Sequence, residues 1–250
     1  METGTGAPRE DRPGYGLDAV EPRSGTMRPG GLHLTERAIA RCGFRAGAKV
    51  LDVGCGSGAT VRCLIERHGL NAVGVDPSEE QLARGRVINP GLPLLKASGE
   101  ELPFEAGEMD GVFAECTLSV MADPKRALGE FARVLGDQGL LVLSDLYLLG
   151  PREAGNGDFI RADYPSGPVT RDELETRLRA RGLNPVFWED QNEAFKQFVF
   201  RMIMENGSLE GCWNKSLGGE LSPSTLDRMR RARLGYFLLI ARKSSKDGYR

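Results

Sequence analysis

Three glycines follow a short apolar run that begins at Lys49, in the stretch KVLDVGCGSGAT. Because Gly54, Gly56 and Gly58 lack side chains, the backbone at this turn can adopt positive φ and approach a ligand closely. The next apolar run, NAVGVD, ends on Asp76, about 20 residues further on, where a ribose-binding acid is expected. Its carboxylate can accept hydrogen bonds from both hydroxyls of a ribose. The combination predicts a site for an adenosine-containing ligand.

Apolar runs and amphipathic stretches alternate along the chain, and this alternation predicts the fold class. KVLDVG, NAVGVD, LPLLKAS, DGVFAEC and LLVLSDLY are typical of buried strands, and helical patterns separate them. The expected fold is α/β: a Rossmann-like, doubly wound sheet, mostly parallel, with helices on both faces. GYFLLIARK near the C-terminus predicts one antiparallel strand at the sheet edge. In the first helix we expect Thr35 to form the N-terminal cap and Gly43 to end the helix.

The composition predicts a flexible start followed by one domain. Residues 1–30 are rich in glycine, proline and charge and poor in aliphatic side chains, so they cannot bury enough surface to fold alone. No internal repeat or linker follows, and we therefore expect residues 31–250 to form a single domain. Ligands of open parallel sheets bind at the carboxyl ends of the strands, which places the predicted site at that edge.

Charge and cysteine content exclude several classes of function. The chain has 33 basic and 35 acidic residues and a net charge of −2. This balance produces no positive electrostatic field strong enough to indicate binding of nucleic acid or an anionic membrane. It contains no apolar run approaching the roughly 18 residues of a transmembrane helix and no secretory signal pattern, so a cytoplasmic location is expected. The five cysteines include no CxxC pair and predict reduced thiols rather than disulfides or a metal site.

Four motifs between Lys49 and Tyr147 together resemble a known family. They are VLDVGCGSG, VGVDPSEEQL, EELPFEAGEMDGVFAE and RALGEFARVLGDQGLLVLSD. The glycine spacing GCGSG differs from the GxGxxG of dinucleotide-binding proteins, and the chain has no GxxxxGK[ST] for a triphosphate. In their order the motifs resemble class I S-adenosylmethionine-dependent methyltransferases of the type 11-like group. The resemblance implies S-adenosyl-L-methionine as cofactor and methyl transfer to an acceptor.

The resemblance also implies a role for individual residues. The backbone at Gly54, Cys55 and Gly56 would lie along the methionine end of the cofactor, Asp52 would orient its ammonium, and Asp76 would hold the ribose. Further positions that the resemblance assigns to the cofactor are Pro77 at the adenine, Ser98, Gly99 and Glu115. Many relatives end the third strand with Gly-Asp-Ala, whose aspartate accepts from the adenine amino group. Here Ser98 takes that position and is expected to accept as a neutral partner.

The same resemblance points to the acceptor side at the ends of the fourth and fifth strands. Glu115, Cys116 and Asp145 are the candidate catalytic residues, and residues 148–235 are expected to cover the acceptor. This long C-terminal part favours a small-molecule acceptor over a protein. The absence of an (N/D)PP(Y/F) motif at strand four argues against nucleic acid. A monomer or homodimer is expected.

Two alternative functions remain open from the sequence. The cysteine after strand four and the SD.Y pattern of strand five partly resemble arsenite methyltransferases, in which Cys116 would bind a thiophilic metalloid. The chain could instead bind the cofactor without turnover, as a sensor or scaffold. His33 belongs to a segment that relatives fold over the cofactor and is a further, weaker candidate for the active site.

Overall fold

The structure of the protein is a computed structural model, which describes residues 26–150, 167–206 and 233–245. Its helices are α1 (Gly31–Cys42), α2 (Ala59–Glu66), α3 (Glu79–Ile88), α4 (Pro124–Val134), α5 (Arg171–Arg179) and α6 (Asn192–Asn206), with a 3-10 turn at Leu118–Val120. Its strands are β1 (Lys49–Val53), β2 (Asn71–Asp76), β3 (Leu94–Lys96), β4 (Met109–Glu115), β5 (Leu135–Leu148), β6 (Leu183–Asp190) and β7 (Leu234–Lys243).

Two predicted segments lie partly outside the described residues. These are residues 1–30, predicted to be flexible, and residues 148–235, predicted to cover the acceptor. Both assignments, and the single domain over residues 31–250, stay predictions.

The strands form one seven-stranded sheet in the order β3-β2-β1-β4-β5-β7-β6. β1 is parallel to β2 and β4, β2 to β3, and β4 to β5, whereas β7 is antiparallel to both of its neighbours. The predicted fold class, a mostly parallel Rossmann-like sheet with an antiparallel C-terminal strand, is confirmed. Since the parallel strands point the same way, the carboxyl ends of β1, β2 and β4 meet at one edge of the sheet.

The antiparallel strand β7 lies one position in from the sheet edge, which β6 forms instead. Seven consecutive residues of β7 are buried, as expected for a strand with neighbours on both sides and cover on both faces. β6 is mostly half-exposed, contains Pro185, and changes register with β7 between Pro185 and Phe187. Proline and irregular pairing are typical of edge strands, because a proline cannot donate a ladder hydrogen bond.

Helices cover both faces of the sheet, and alternate strand residues point to opposite faces. On one face, Leu51, Val53 and Leu143 pack with α4 and α5. On the other face, Val50 and Val142 pack with α1, α2 and α3. Two apolar cores therefore hold the sheet rigid beneath the strand ends.

Local sequence signals fix most helix ends. Gly43 ends α1 in the left-handed conformation, and Thr170 caps α5 in a capping box with Glu173, as such sequences predict. The expected cap at Thr35 is wrong: α1 starts one turn earlier, at Gly31, after Gly30. The reason is that the Thr35 side chain is buried and makes tertiary hydrogen bonds.

Within the described ranges, every helix is too short or too polar to span a lipid bilayer. The four cysteines in these ranges are free thiols; Cys212 lies outside them.

Candidate functional site

The glycine turn, the two acids and the end of β4 come together at the carboxyl edge of the sheet. In the central strand β1, Asp52 pairs with Gly74 of β2 on one side and with Phe113 of β4 on the other. Asp76 ends β2 and Glu115 ends β4. The fold thus gathers side chains that are far apart in sequence.

The glycine turn after β1 uses its two leading glycines differently. Gly54 (φ 73°) and Gly56 (φ 54°) both have left-handed backbone. A Cβ atom at Gly54 would lie 2.2 Å from Cγ2 of Thr117, so the space there belongs to a side chain of the protein. A Cβ at Gly56 would meet no atom of the described residues within 4 Å. The side-chain position at Gly56 is therefore open, whereas the one at Gly54 is filled by the protein itself; that both backbones lie along a ligand stays a prediction.

Substituting Gly54 by alanine should destabilise the fold by about 2–5 kcal/mol. Left-handed backbone costs a non-glycine residue about 1–2 kcal/mol, and the overlap with Thr117 adds about 1–3 kcal/mol. Gly43→Ala is the matched control, because Gly43 also has positive φ (64°) but open space around the added methyl group. Urea unfolding of both variants measures the difference, and equal losses would show that Thr117 does not restrict this turn.

Asp76 is held in a fixed orientation by backbone amides. Its Oδ2 accepts from the Gly56 amide and its Oδ1 from the Ser78 amide, both at 2.8 Å. Ser78 in turn caps α3 by accepting from the amide of Gln81 at 3.3 Å. A carboxylate offers about four acceptor positions, so each oxygen keeps capacity for one further donor. The arrangement can accept from two neighbouring hydroxyl groups.

Asp52 is a buried acid without a hydrogen-bond partner among the described residues. Burial, reinforced by the negative charge of Glu115, raises the pKa of the Asp52 carboxyl to about 8, although Arg28 opposes the shift. A buried carboxyl with free acceptor positions and two acidic neighbours is suited to a cationic ligand group, which would favour its ionised form.

Asp52 should also make stability depend on pH. Its pKa is about 8 in the folded protein against an ordinary value of 3.8, so between these values only the folded state retains the proton. Stability contributed by this group therefore falls as pH rises through that window, by at most about 1.4 kcal/mol per pH unit. The stability of Asp52→Asn relative to wild type should increase by about 2 kcal/mol between pH 5.5 and 7.5. Urea unfolding measures this, and Asp137→Asn, at an exposed position, should show no such trend.

A buried ion pair joins α1 and its preceding segment to the end of β4. Arg28 Nη2 lies 2.7 Å from Glu115 Oε2 and also donates to the hydroxyls of Thr35 and Thr60, at 2.6 and 3.1 Å. Thr35 donates to the same carboxylate at 3.0 Å. Burial is the largest single effect and disfavours the Arg28 charge, but Glu115 together with the neighbouring Tyr236, Asp52 and Cys116 raises the Arg28 pKa above its ordinary value. Arg28 Nε is buried without a partner among the described residues.

Cys116 follows Glu115 in a left-handed conformation (φ 61°), which is uncommon for a residue other than glycine. Its amide donates to the Ser144 carbonyl at 2.6 Å, and its thiol contacts the Tyr236 hydroxyl. Burial, with a smaller contribution from Asp145, raises the pKa of the thiol to about 12. Cys116 is therefore protonated near neutral pH.

Asp145 points to the other face of the sheet from Glu115. Asp145 lies two residues after Leu143 in β5 and therefore on the same face of the sheet, and Leu143 belongs to the core under α4 and α5. The Asp145 carboxylate accepts hydrogen bonds from the Ser119 amide and hydroxyl, at 2.9 and 2.7 Å, and from the Leu146 amide. The structure thus separates Asp145 from Glu115, although its charge still acts on the Cys116 thiol, and uses Asp145 to hold the turn after β4.

The remaining predicted cofactor residues differ in how they are placed. Pro77 is exposed next to Asp76. Ser98 donates to the Glu100 carboxylate and accepts from the Glu100 amide, so a carboxylate lies beside the position where relatives have aspartate. Gly99 is packed against Val53 and Met121, and the Cys55 side chain packs against Gly74. A side chain at Gly99 would therefore overlap its neighbours, and the Cys55 side chain is packed into the protein.

Comparison with known proteins decides the family. A family model described as "Methyltransferase domain" matches residues 51–143. The O-methyltransferase cnsE of Penicillium expansum is 30% identical over 226 residues, which cover 85% of this chain and 78% of that protein. The chain belongs to the class I S-adenosylmethionine-dependent methyltransferases.

Two further proteins resemble this methyltransferase over most of its length. The 27-O-demethylrifamycin SV methyltransferase of Amycolatopsis mediterranei (strain S699) is 28% identical over 236 residues, or 88% of this chain and 86% of that protein. The structure of Haemonchus contortus phosphoethanolamine N-methyltransferase 2 with S-adenosyl-L-methionine has a TM-score of 0.69 at 17% identity. The match covers 88% of this chain and about half (54%) of that one, and it shows a shared fold.

The partial resemblance of the methyltransferase to arsenite enzymes gains no support. Trivalent arsenic requires several thiolates, whereas Cys116 belongs to no group of three ligand atoms among the described residues. Cys42 also belongs to no group of three ligand atoms among the described residues, and Cys212 lies outside them.

Sequence reasoning about the methyltransferase missed Arg28, Thr35 and Thr60. His33, the candidate that the sequence offers in this part of the chain, lies in the first turn of α1 and is exposed. A signal for Arg28 existed: Glu115 ends a buried strand, and a buried acid requires a cation or a hydrogen-bond donor. The sequence does not reveal which of many arginines supplies it.

Proposed function

We propose that the protein transfers a methyl group from S-adenosyl-L-methionine to a small-molecule acceptor. The observation that carries this proposal is the Asp76 carboxylate, fixed by the amides of Gly56 and Ser78 beside the open backbone of Gly56. A ribose diol is the ligand group that such a paired acceptor fits best.

The charges of the site fit the cofactor's methionine end. Asp52, Asp76 and Glu115 carry negative charge or can acquire it, and Arg28 is the cation paired with Glu115. This excess of acid suits a ligand with an ammonium and a sulfonium. The carboxyl of Asp52, which has no hydrogen-bond partner in the described part of the chain, is available to the ammonium. When bound, S-adenosyl-L-methionine supplies a methyl group that is activated by the positive sulfur.

The residues of the chain act mainly by positioning. The turn at Gly54, Cys55 and Gly56 would hold the methionine end, and Pro77 and Ser98 would border the adenine, with the backbone of Gly99. Methyl transfer is an in-line displacement that needs alignment and a dry site more than a side-chain acid or base. The buried Arg28–Glu115 pair fixes the end of β4, where the family binds the acceptor.

None of the three predicted acceptor-side residues is arranged as a free general base. Glu115 is paired with Arg28, and the Cys116 thiol is protonated near pH 7. Asp145 is used by the Ser119 turn. We therefore assign Glu115 and Cys116 to the wall of the acceptor site and Asp145 to its support.

The names of the relatives favour oxygen as the methylated atom. Two proteins that match this chain over more than four-fifths of its length are named as O-methyltransferases or as acting on a 27-O-demethyl compound. We accordingly propose a hydroxyl group of a small organic molecule as acceptor. As the sequence predicts, we also propose the cytoplasm as the location of the protein.

Calorimetry and a turnover assay test the proposal in two steps. Titration with S-adenosyl-L-methionine and with S-adenosylhomocysteine should show one site, and absence of binding to both would refute it. A panel of hydroxylated small molecules, with a coupled readout of homocysteine formation, then tests for transfer. Binding without turnover on any acceptor would favour the alternative of a non-catalytic sensor.

A further inference from the structure

A second group of reactive side chains lies between α1 and α2, separate from the strand-end site. It consists of Glu36 of α1, Cys63 of α2 and His68, which follows α2. One ligand atom from each residue lies within 4.8 Å of the other two. Because Glu36 is 27 and 32 positions away from the other two, no spacing motif reveals the group.

The donor set suits a tetrahedral metal site, and its atoms lie close enough together to converge on one ion. Cys63 Sγ lies 3.3 Å from Glu36 Oε1, and His68 Nε2 lies 2.5 Å from Glu36 Oε2. Zinc–ligand bonds of about 2.0–2.3 Å place the ligand atoms of a tetrahedron roughly 3.3–3.8 Å apart. Cys63 Sγ and Glu36 Oε1 already have this separation, whereas His68 must withdraw from its short contact with Glu36 before one sulfur, one nitrogen and one oxygen surround a single ion.

The burial of the group leaves one side accessible. Cys63 is 3% exposed, whereas the side chains of His68 and Glu36 are 24% and 31% exposed. An ion can reach the group from solvent and keep a water molecule as its fourth ligand, as three-ligand zinc sites do. Arg67, whose Nη1 lies 3.3 Å from Glu36 Oε1, competes with a cation for this carboxylate.

We propose that Glu36, Cys63 and His68 bind one divalent cation of borderline softness, such as Zn²⁺. On binding, the thiol of Cys63 and the Nε2–H of His68 each give a proton to the solvent, and His68 binds the ion as a neutral imidazole that carries its remaining proton on Nδ1. The ion replaces the hydrogen bonds of Glu36 to Cys63 and His68. The ion then connects α1 to α2. Since Thr35, the neighbour of Glu36, donates to Glu115, the bound ion also restrains the helix that borders the strand-end site.

Cobalt is the probe for this site, because Co²⁺ bound to a thiolate in tetrahedral geometry has charge-transfer and d–d absorption. The full chain, free of any polyhistidine tag, should develop both absorptions at one equivalent of Co²⁺ and lose them when Zn²⁺ is added. Cys63→Ser should abolish the charge-transfer absorption, and Glu36→Gln and His68→Gln should each lower the affinity at least about tenfold.

Matched variants separate this site from other thiols and from misfolding. Cys42→Ser and Cys212→Ser should retain the wild-type spectrum, and Arg67→Gln should raise the affinity by roughly two- to fivefold, because it removes the competing cation. Circular dichroism checks that each variant is folded. No thiolate absorption in the wild type, or an unchanged spectrum in both Cys63→Ser and His68→Gln, would overturn the proposal and leave the group as a hydrogen-bonded contact between helices.

Discussion

Arg28→Met should destabilise the protein by about 3–5 kcal/mol in urea unfolding at pH 7. The substitution removes the only ion-pair partner that Glu115 has among the described residues. The Glu115 carboxylate remains buried, at 6% exposure, and its charge acts on Asp52, whose pKa it raises. Removing one partner of a buried pair has an effect of this size because the remaining charge loses its compensation.

The control for Arg28 is an ion pair of similar length at the surface. Arg86 lies 2.6 Å from Glu79, with the two side chains 46% and 54% exposed, so Arg86→Met should change stability by less than about 1 kcal/mol. The double variant Arg28→Met/Glu115→Gln should be more stable than Arg28→Met alone, because it also removes the isolated charge. If Arg28→Met were no more harmful than Arg86→Met, the pair would have no structural importance.

Asp76→Ala should weaken binding of S-adenosyl-L-methionine roughly 30- to 150-fold by calorimetry, a loss of about 2–3 kcal/mol. The carboxylate is the acceptor proposed for the ribose, and its two backbone hydrogen bonds hold it in place. Asp137→Ala, at an exposed position, should bind like the wild type.

A comparison of ligands separates a ribose contact from a general disturbance of the turn. Adenosine should bind the wild type more tightly than 2′,3′-dideoxyadenosine, which lacks both hydroxyls. In Asp76→Ala this preference should disappear, because no carboxylate remains to accept from them. A preference that persists in the variant would assign the ribose to another residue.

The fold and the family were predictable because they depend on local patterns. Alternating apolar runs predicted the parallel strands, and the glycine turn with Asp76 marked the edge where their ends meet. The end of α1 at Gly43 was predictable because a glycine readily adopts the left-handed conformation that ends a helix. The position of β7 inside the sheet was missed, since pairing with both β5 and β6 is set by contacts between distant parts of the chain.

The candidate site was only partly predictable, for the same reason. Motif residues such as Gly56 and Asp76 carry their signal in the sequence around them. Arg28 and Glu115 are 87 positions apart, and nothing near either residue identifies the other. Asp145 was grouped with Glu115 because both follow apolar runs, but alternation along β5 directs it to the opposite face. Thr35 had the right type for a cap, yet tertiary contacts determine its role.

The outermost strands limit how two copies of the protein can associate. One border of the sheet is β3, only three residues long, and the other is β6, with Pro185 and its shifted register. Both are poor templates for adding a strand from a second molecule, which protects the sheet against continuous cross-chain pairing. If the protein forms a homodimer, we expect helices or loops, rather than joined sheets, to provide its contact surface.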